Sequence, residues 1–183
     1  MSFSFTFRAF LRMVAGYLPL HSRKQQVLCV LLIVNAGLLA LASRFVGLNT
    51  STSAMPEGFY WRMAPHPARG QAVEVCLPHA WAKFAIERRY IGHSWRCPDG
   101  SEAVGKMIIG MPGDTVTVDP ATVLKVDTLG RPMPHVFGPQ HLGIGQIWLY
   151  GSARNSFDSR YYGAVSAANV IANLAPLWTW GGK

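Results

Sequence analysis

Acidic residues are scarce in this sequence: nine Asp/Glu stand against seventeen Lys/Arg in 183 residues, and none precedes Glu57. Charge of either sign makes up only 14% of the chain while half of it is apolar, a balance tilted towards membrane contact. A net charge of +8 would suit a nucleic-acid binder only if the cations lay on the folded part. Instead Arg8, Arg12, Arg23, Lys24 and Arg44 all precede the first acid, and the remainder carries twelve Lys/Arg against nine Asp/Glu. No nucleic-acid partner is expected. Cysteine is also rare: Cys29, Cys76 and Cys97 form no CxxC pair, and with histidines scattered they make no ligand set, so neither metal nor cofactor is expected. A disulfide between Cys76 and Cys97 would close a loop worth about 3 kcal/mol. No internal repeat or low-complexity tract is present.

What the chain does have is one long uncharged run, Gln25 to Ser43, bounded by Lys24 and Arg44. Its length approaches the ~20 residues that cross a hydrocarbon core as a helix. Four cations precede it and one follows, so the positive-inside rule puts the N-terminus in the cytoplasm and the rest outside. The alternative is a cleaved secretory signal, because Ala40-Leu41-Ala42 has small residues at cleavage spacing. The 24 residues ahead of the run are long for such a signal. Within them, Phe3, Phe7, Phe10, Val14 and Tyr17 share a helical face that excludes Arg8 and Arg12. That pattern suits a basic amphipathic helix on the membrane surface, or else a poorly ordered tail. Three regions follow: 1–24, a basic cytoplasmic segment; 25–43, a transmembrane helix; 44–183, an extracytoplasmic domain.

Beyond Arg44 the pattern changes to short β-branched and aromatic runs between Gly and Pro. Strands are expected at 58–63, 72–76, 103–110, 115–118, 123–126, 146–150 and 169–175. One helix is expected, His79 to Tyr90, with Trp81, Phe84 and Ala85 on its apolar face. The fold class is therefore mainly β, an antiparallel and partly closed domain behind one N-terminal transmembrane helix. The end of the chain, LAPLWTWGG, suits either a membrane interface or a strand at the edge of the core.

Three segments carry polar residues that can act together: Asn49 to Trp61, Gly105 to Val118, and Gly151 to Gly163. None contains histidine, which disfavours a Ser-His-Asp arrangement. A serine hydroxyl needs a base within hydrogen-bond reach, and lysine serves only when desolvation makes it neutral. Lys106, flanked by Met107, Ile108 and Ile109, fits that role. Asp158 or Arg160 could order the site, and Ser156 could fix the ammonium.

Taken in order, these segments resemble the conserved boxes of bacterial type I signal peptidases. Lys106 to Asp114 (KMIIGMPGD) follows the pattern K-R-x-x-G-x-P-G-D, with Met107 in place of Arg. Asn155 to Gly163 (NSFDSRYYG) follows the second half of G-D-N-R-D-N-S-x-D-S-R-Y-x-G, the first half being shortened. Within that family the chain is most similar to the TraF branch, the maturation peptidases of conjugative transfer systems, which has an Asn-led opening box ending S-x-P-x-G-x-Y and two cysteines placed like Cys76 and Cys97. The resemblance implies a Ser/Lys dyad with Lys106 as general base, Ser156 orienting the lysine, Asp158 orienting the site, and Arg160 and Asp114 in structural roles.

The nucleophile is where the chain departs from that pattern. In S-x-P register its place is Ala54; in the S-M-x-P register of general signal peptidases it is Ser53. Ala54-Met55-Pro56, followed by Gly58 and Tyr60, favours position 54, so that a Ser→Ala replacement would leave this molecule inactive. Thr52 or Ser53 would then lie close to the oxyanion hole. The resemblance further implies a precursor substrate with small residues before the cleavage site, a pilin above all, in some systems cyclised, and a bacterial inner-membrane protein with its catalytic domain in the periplasm and the lipid bilayer as a partner. Three other readings are a catalytically inactive assembly factor on the same scaffold, a housekeeping signal peptidase, and a LexA-like self-cleaving regulator. The last is disfavoured by the membrane span and the absence of a helix-turn-helix.

Overall fold

The structure, a computed structural model, describes residues 22–50 and 54–180. The amphipathic stretch from Phe3 to Tyr17 and the residues Thr52 and Ser53 lie outside the described residues. The chain divides into two compact units, Met1–Phe45 and Val46–Lys183.

In the first unit the uncharged run and its basic flanks form α1 (Arg23–Phe45). Its 23 residues rise about 35 Å, more than the ~30 Å of a hydrocarbon core. None of them is buried, and the helix is long and apolar enough to cross a membrane. Cys29, on this helix, is a free thiol.

The second unit is mainly antiparallel β. Its strands are β1 (Val46–Asn49), β2 (Glu57–Met63), β3 (Ala72–Val75), β4 (Val104–Gly110), β5 (Thr115–Val118), β6 (Gly138–His141), β7 (Gln146–Tyr150), β8 (Val165–Ser166) and β9 (Val170–Trp180). Seven of them make one sheet in the order β1-β2-β9-β3-β4-β7-β8, and β5 pairs with β6 apart from it. Two helices complete the unit, α2 (His79–Glu87) and the single turn α3 (Ser159–Tyr162). Alternation along the strands sends Val73, Val75, Ile108, Ile147 and Leu149 into one core, which Leu77, Val165 and Val170 extend. A second core gathers Val118, Val123, Met133, Leu142, Trp148 and Tyr161. Cys76, directly after β3, is joined to Cys97.

Several expectations are corrected. Residues 123–126 are not a strand. Asp119 caps a 3₁₀ turn at Pro120–Thr122 through a hydrogen bond from the Ala121 N–H, Val123 turns into the second core, and Val126 makes only an isolated bridge with Pro132. The helix that begins at His79 stops at Glu87 rather than Tyr90, because Arg89 takes a left-handed φ of 59° and turns the chain back. Its fully buried positions are Ala82 and Ala85, while Trp81 is half-buried against Phe84, Phe157 and Tyr162. The segment after Leu174 fits the strand expected at the edge of the core: it is exposed from Pro176 onward and, among the described residues, pairs on one side only, with β2. It is the second half of β9, which pairs with β3 through Val170 to Asn173 and with β2 through Asn173 to Trp180. Gly58 on β2 is required there, since a Cβ would collide with the Trp178 carbonyl. Along this part of the sheet Leu48 pairs with Phe59 and Phe59 with Trp178; all three are exposed, as are Trp61 and Trp180, and the Phe59 and Trp180 rings meet edge-on at 5.7 Å.

Candidate active site

Strand β4 carries Lys106 into the domain, where only 4% of the residue is exposed. Its Nζ donates to Ser156 Oγ at 2.7 Å, and Ser156 itself is fully buried. Burial lowers the Lys106 pKa from 10.5 to about 8; the Asp158 carboxylate opposes that shift and the Arg160 guanidinium reinforces it. An amine so placed is neutral for part of the time near neutral pH, which is what a general base requires.

The loop holding Ser156 is fixed from behind. Asp158 caps α3, accepting from the Arg160 N–H at 3.1 Å and from the Gly151 N–H at 2.8 Å. Arg160 returns a fork, Nε to Asp158 Oδ1 at 2.8 Å and Nη2 to Asp158 Oδ2 at 2.7 Å. The same guanidinium donates to the carbonyls of Thr122, Gly151 and Ala153. Asp158 and Arg160 thus tie residues 151–156 to the far side of the domain.

Opposite Lys106 lies the opening segment. Ala54 is buried with Met55, Tyr60 and Leu174, and Met55 sits directly over Gly105, where a Cβ would come within 2.5 Å of its Cε. A glycine one residue before the lysine therefore lets this turn press against β4. Ala54 and Lys106 line one cleft of about 390 Å³, together with Asn49, Tyr60, Asn155 and Phe157.

The structure thus gathers Ala54 and Lys106, with Ser156, Asp158 and Arg160 behind the lysine. Asp114 is elsewhere, in the turn after β4, where it accepts from the Met111 N–H at 2.6 Å and pairs with Arg69 at 2.5 Å. Two contributors were given no role from sequence. Asn49 Nδ2 donates to the carbonyls of Met55 at 3.2 Å and Pro56 at 2.9 Å, and the Tyr60 hydroxyl donates to Pro56 O at 2.7 Å. Both stand in the opening box, so the signal was present, but nothing in spacing says that they clamp the turn between them.

Lys106 also makes a stability prediction. With a folded pKa below its unfolded value, the unfolded chain binds more protons between about pH 8 and 10.5, so stability should rise with pH across that window. Lys106→Met removes the buried charge and orphans the Ser156 hydroxyl. The net expectation is a gain of about 1–2 kcal/mol at pH 7 that fades above pH ~10. Denaturant titrations of both chains at several pH values measure it; a gain that does not vary with pH would mean that burial leaves the Lys106 pKa at its unfolded value.

No family model matches the chain. A plasmid transfer protein TraF of Escherichia coli is 30% identical over 159 residues, 78% of this chain and 89% of that protein. Mitochondrial inner membrane protease subunit 1 of Schizosaccharomyces pombe is 38% identical over 87 residues, 45% of this chain and 47% of that protein. A signal peptidase I of Leptolyngbya laminosa is 32% identical over 81 residues, 40% of each. With near full-length similarity to one TraF, partial similarity to two peptidases and an antiparallel β domain behind an apolar helix, the chain belongs to the TraF-like signal peptidase family.

Proposed function

We propose that this chain has the architecture of a membrane-anchored Ser-Lys endopeptidase of a conjugative transfer system, with residue 54 as the nucleophile position. The observation that carries this reading is the buried Lys106 amine, held by Ser156 and facing the same cleft as residue 54. With serine at 54, neutral Lys106 takes the hydroxyl proton as the oxygen attacks the scissile carbonyl. The backbone N–H of residue 54 and a hydroxyl from Thr52 or Ser53 would stabilise the oxyanion. The lysine then protonates the leaving amine. Water resolves the acyl-enzyme to a free carboxylate; the amine of the substrate's own N-terminus would resolve it to a cyclic product. With alanine at 54 the attacking oxygen is missing, and in this form the chain acts as a binder of its precursor.

The substrate class follows from the cleft and from what the relatives are named for, plasmid and conjugal transfer. Met55, Tyr60 and Leu174 wall the space beside residue 54, which suits small side chains before the cut, as in a pilin precursor. Four cations ahead of the uncharged run Gln25 to Ser43 favour a cytoplasmic N-terminus and a periplasmic β domain, a compartment in which the Cys76–Cys97 bond would persist.

The test is cleavage of a pilin precursor by the chain as it stands and by Ala54→Ser, each with and without Lys106→Ala. Turnover only in Ala54→Ser, abolished by Lys106→Ala, supports the dyad. Turnover by the unsubstituted chain would move the nucleophile to Ser53. No turnover by either would leave the scaffold reading in its place.

The exposed apolar row of Leu48 and the aromatics Phe59, Trp61, Trp178 and Trp180 is the surface we assign to lipid contact. In proteoliposomes of the full chain, brominated lipids should quench tryptophan emission, and Trp178→Phe with Trp180→Phe should remove most of the quenching. Equal quenching in the double variant would place the contact elsewhere.

A further inference from the structure

Among the described residues strand β1 is an edge of the large sheet, paired with β2 alone, yet it supplies Asn49, the residue that grips the Met55–Pro56 turn. Its other fastening is an ionic chain. Arg62 on β2 donates through Nη1 to Val46 O at 2.8 Å, and its guanidinium lies over Gly47, where a Cβ would come within 3.0 Å of Nη2. The same guanidinium is held by Glu74 of β3, Nε to Oε2 at 2.9 Å. Glu74 is 7% exposed and takes a second cation, Arg96, whose Nε lies 3.1 Å from Oε1 and whose Nη2 contacts Oε2. Arg96 comes from no strand or helix. It sits in the loop 92–101, one residue before Cys97, and Cys97 is bonded to Cys76, two residues beyond Glu74. The disulfide therefore holds Arg96 against Glu74.

We propose that Arg96 is a positioning residue for the residue-54 turn: clamped by the Cys76–Cys97 disulfide, it fixes Glu74, and through Glu74 and Arg62 it fixes β1 and the Asn49 side chain that seats the turn. The proposal rests on residue 54 being the nucleophile position for its catalytic consequence, and on the ionic chain alone for its structural one. Two arginines on one buried carboxylate exceed what charge compensation needs, since Arg62 alone neutralises Glu74. What the second arginine adds is a fixed direction for the carboxylate, because each guanidinium bonds both of its oxygens. That redundancy also means that Arg96 can be replaced without leaving an unpaired buried charge, so the variant is expected to fold.

The experiment has two arms, both on the full chain in detergent. Hydrogen exchange is read at residues 54–60 in the unsubstituted chain, in Arg96→Met and Arg96→Lys, and in the double variant Cys76→Ser/Cys97→Ser. Arg96→Met and the double variant should each speed exchange there about tenfold while β4 and β7 stay protected; Arg96→Lys, which keeps the charge but cannot bond both oxygens of Glu74, should recover little of the protection. In the Ala54→Ser background, Arg96→Met should lower kcat about tenfold with KM within twofold, a loss of the size that a displaced nucleophile produces. Combining it with Asn49→Ala should cost no more than the larger single loss, because both act on one turn. Unchanged exchange at 54–60 in Arg96→Met, or losses that multiply in the double variant with Asn49→Ala, would overturn the proposal. Unchanged exchange in the serine pair alone would remove the disulfide from it. If Ala54→Ser has no turnover while exchange responds as expected, the nucleophile assignment fails and the ionic chain stands.

Discussion

Replacing Ala54 by serine should raise precursor cleavage by about 10⁴-fold or more over the unsubstituted chain, the scale on which loss of a nucleophile removes covalent catalysis. Among the described residues the proposed base and its supports are in place. Lys106 is buried, its amine is aimed by the Ser156 hydroxyl, and the turn bearing residue 54 is seated on Gly105 through Met55. The restored rate should climb with pH and level off above about 8, since the neutral amine is the working form and burial has brought its pKa to that value. At pH 7 only about a tenth of the molecules would carry the neutral base. Lys106→Ala in the same background should cost about 10²–10⁴-fold, the ordinary contribution of a positioned base, and should flatten the pH profile. A pH profile unmoved by loss of the lysine would assign the base to another group.

Arg160→Ala should be the most damaging substitution to stability, at about 3–5 kcal/mol. Arg160 is 4% exposed, and its side chain donates to both oxygens of a fully buried Asp158 as well as to three carbonyls from two separate stretches of chain. Its removal leaves Asp158 with only the N–H groups of Gly151 and residue 160, and leaves the carbonyls of Thr122, Gly151 and Ala153 without that donor. Such a loss is a large share of the 5–15 kcal/mol that holds a typical domain together. Arg160→Lys should recover little, because an ammonium cannot span the carboxylate and reach the backbone at once. Urea unfolding followed by near-ultraviolet circular dichroism measures both; a loss below 1 kcal/mol would show that water replaces the guanidinium.

Sequence legibility followed the kind of physics involved. The run between Lys24 and Arg44 and the strands at 104–110 and 146–150 could be read because each is set by composition or alternation along a short stretch. The boxes around Lys106 and Ser156 were readable because their residues are local and their chemistry demands a partner. What stayed hidden is set across the chain. β1 and β8 are too short to show a period, and β6, with Gly138 and Pro139, contradicts strand propensity and exists because β5 offers it an edge. The valines at 123 and 126 carry strand propensity, but Asp119 and Pro120 commit the backbone to a turn just before them. Arg89, whose left-handed backbone ends α2, carries no glycine signal. Glu74, Arg62 and Arg96 are distant in sequence and each reads as an ordinary surface charge, so only the folded sheet shows them sharing one buried site.

Strand β9 comes last among the described strands and stands between β2 and β3, so the β1-β2 pair and the β3-β4-β7-β8 group join only through it. Until Val170 to Trp180 arrive, the sheet is two separate halves, with Tyr60 on one and Lys106 on the other, and Leu174 is missing from the cleft wall. Truncation before Val170 should therefore leave the two sides of the cleft unjoined, with the residue-54 turn and Lys106 on separate pieces of sheet.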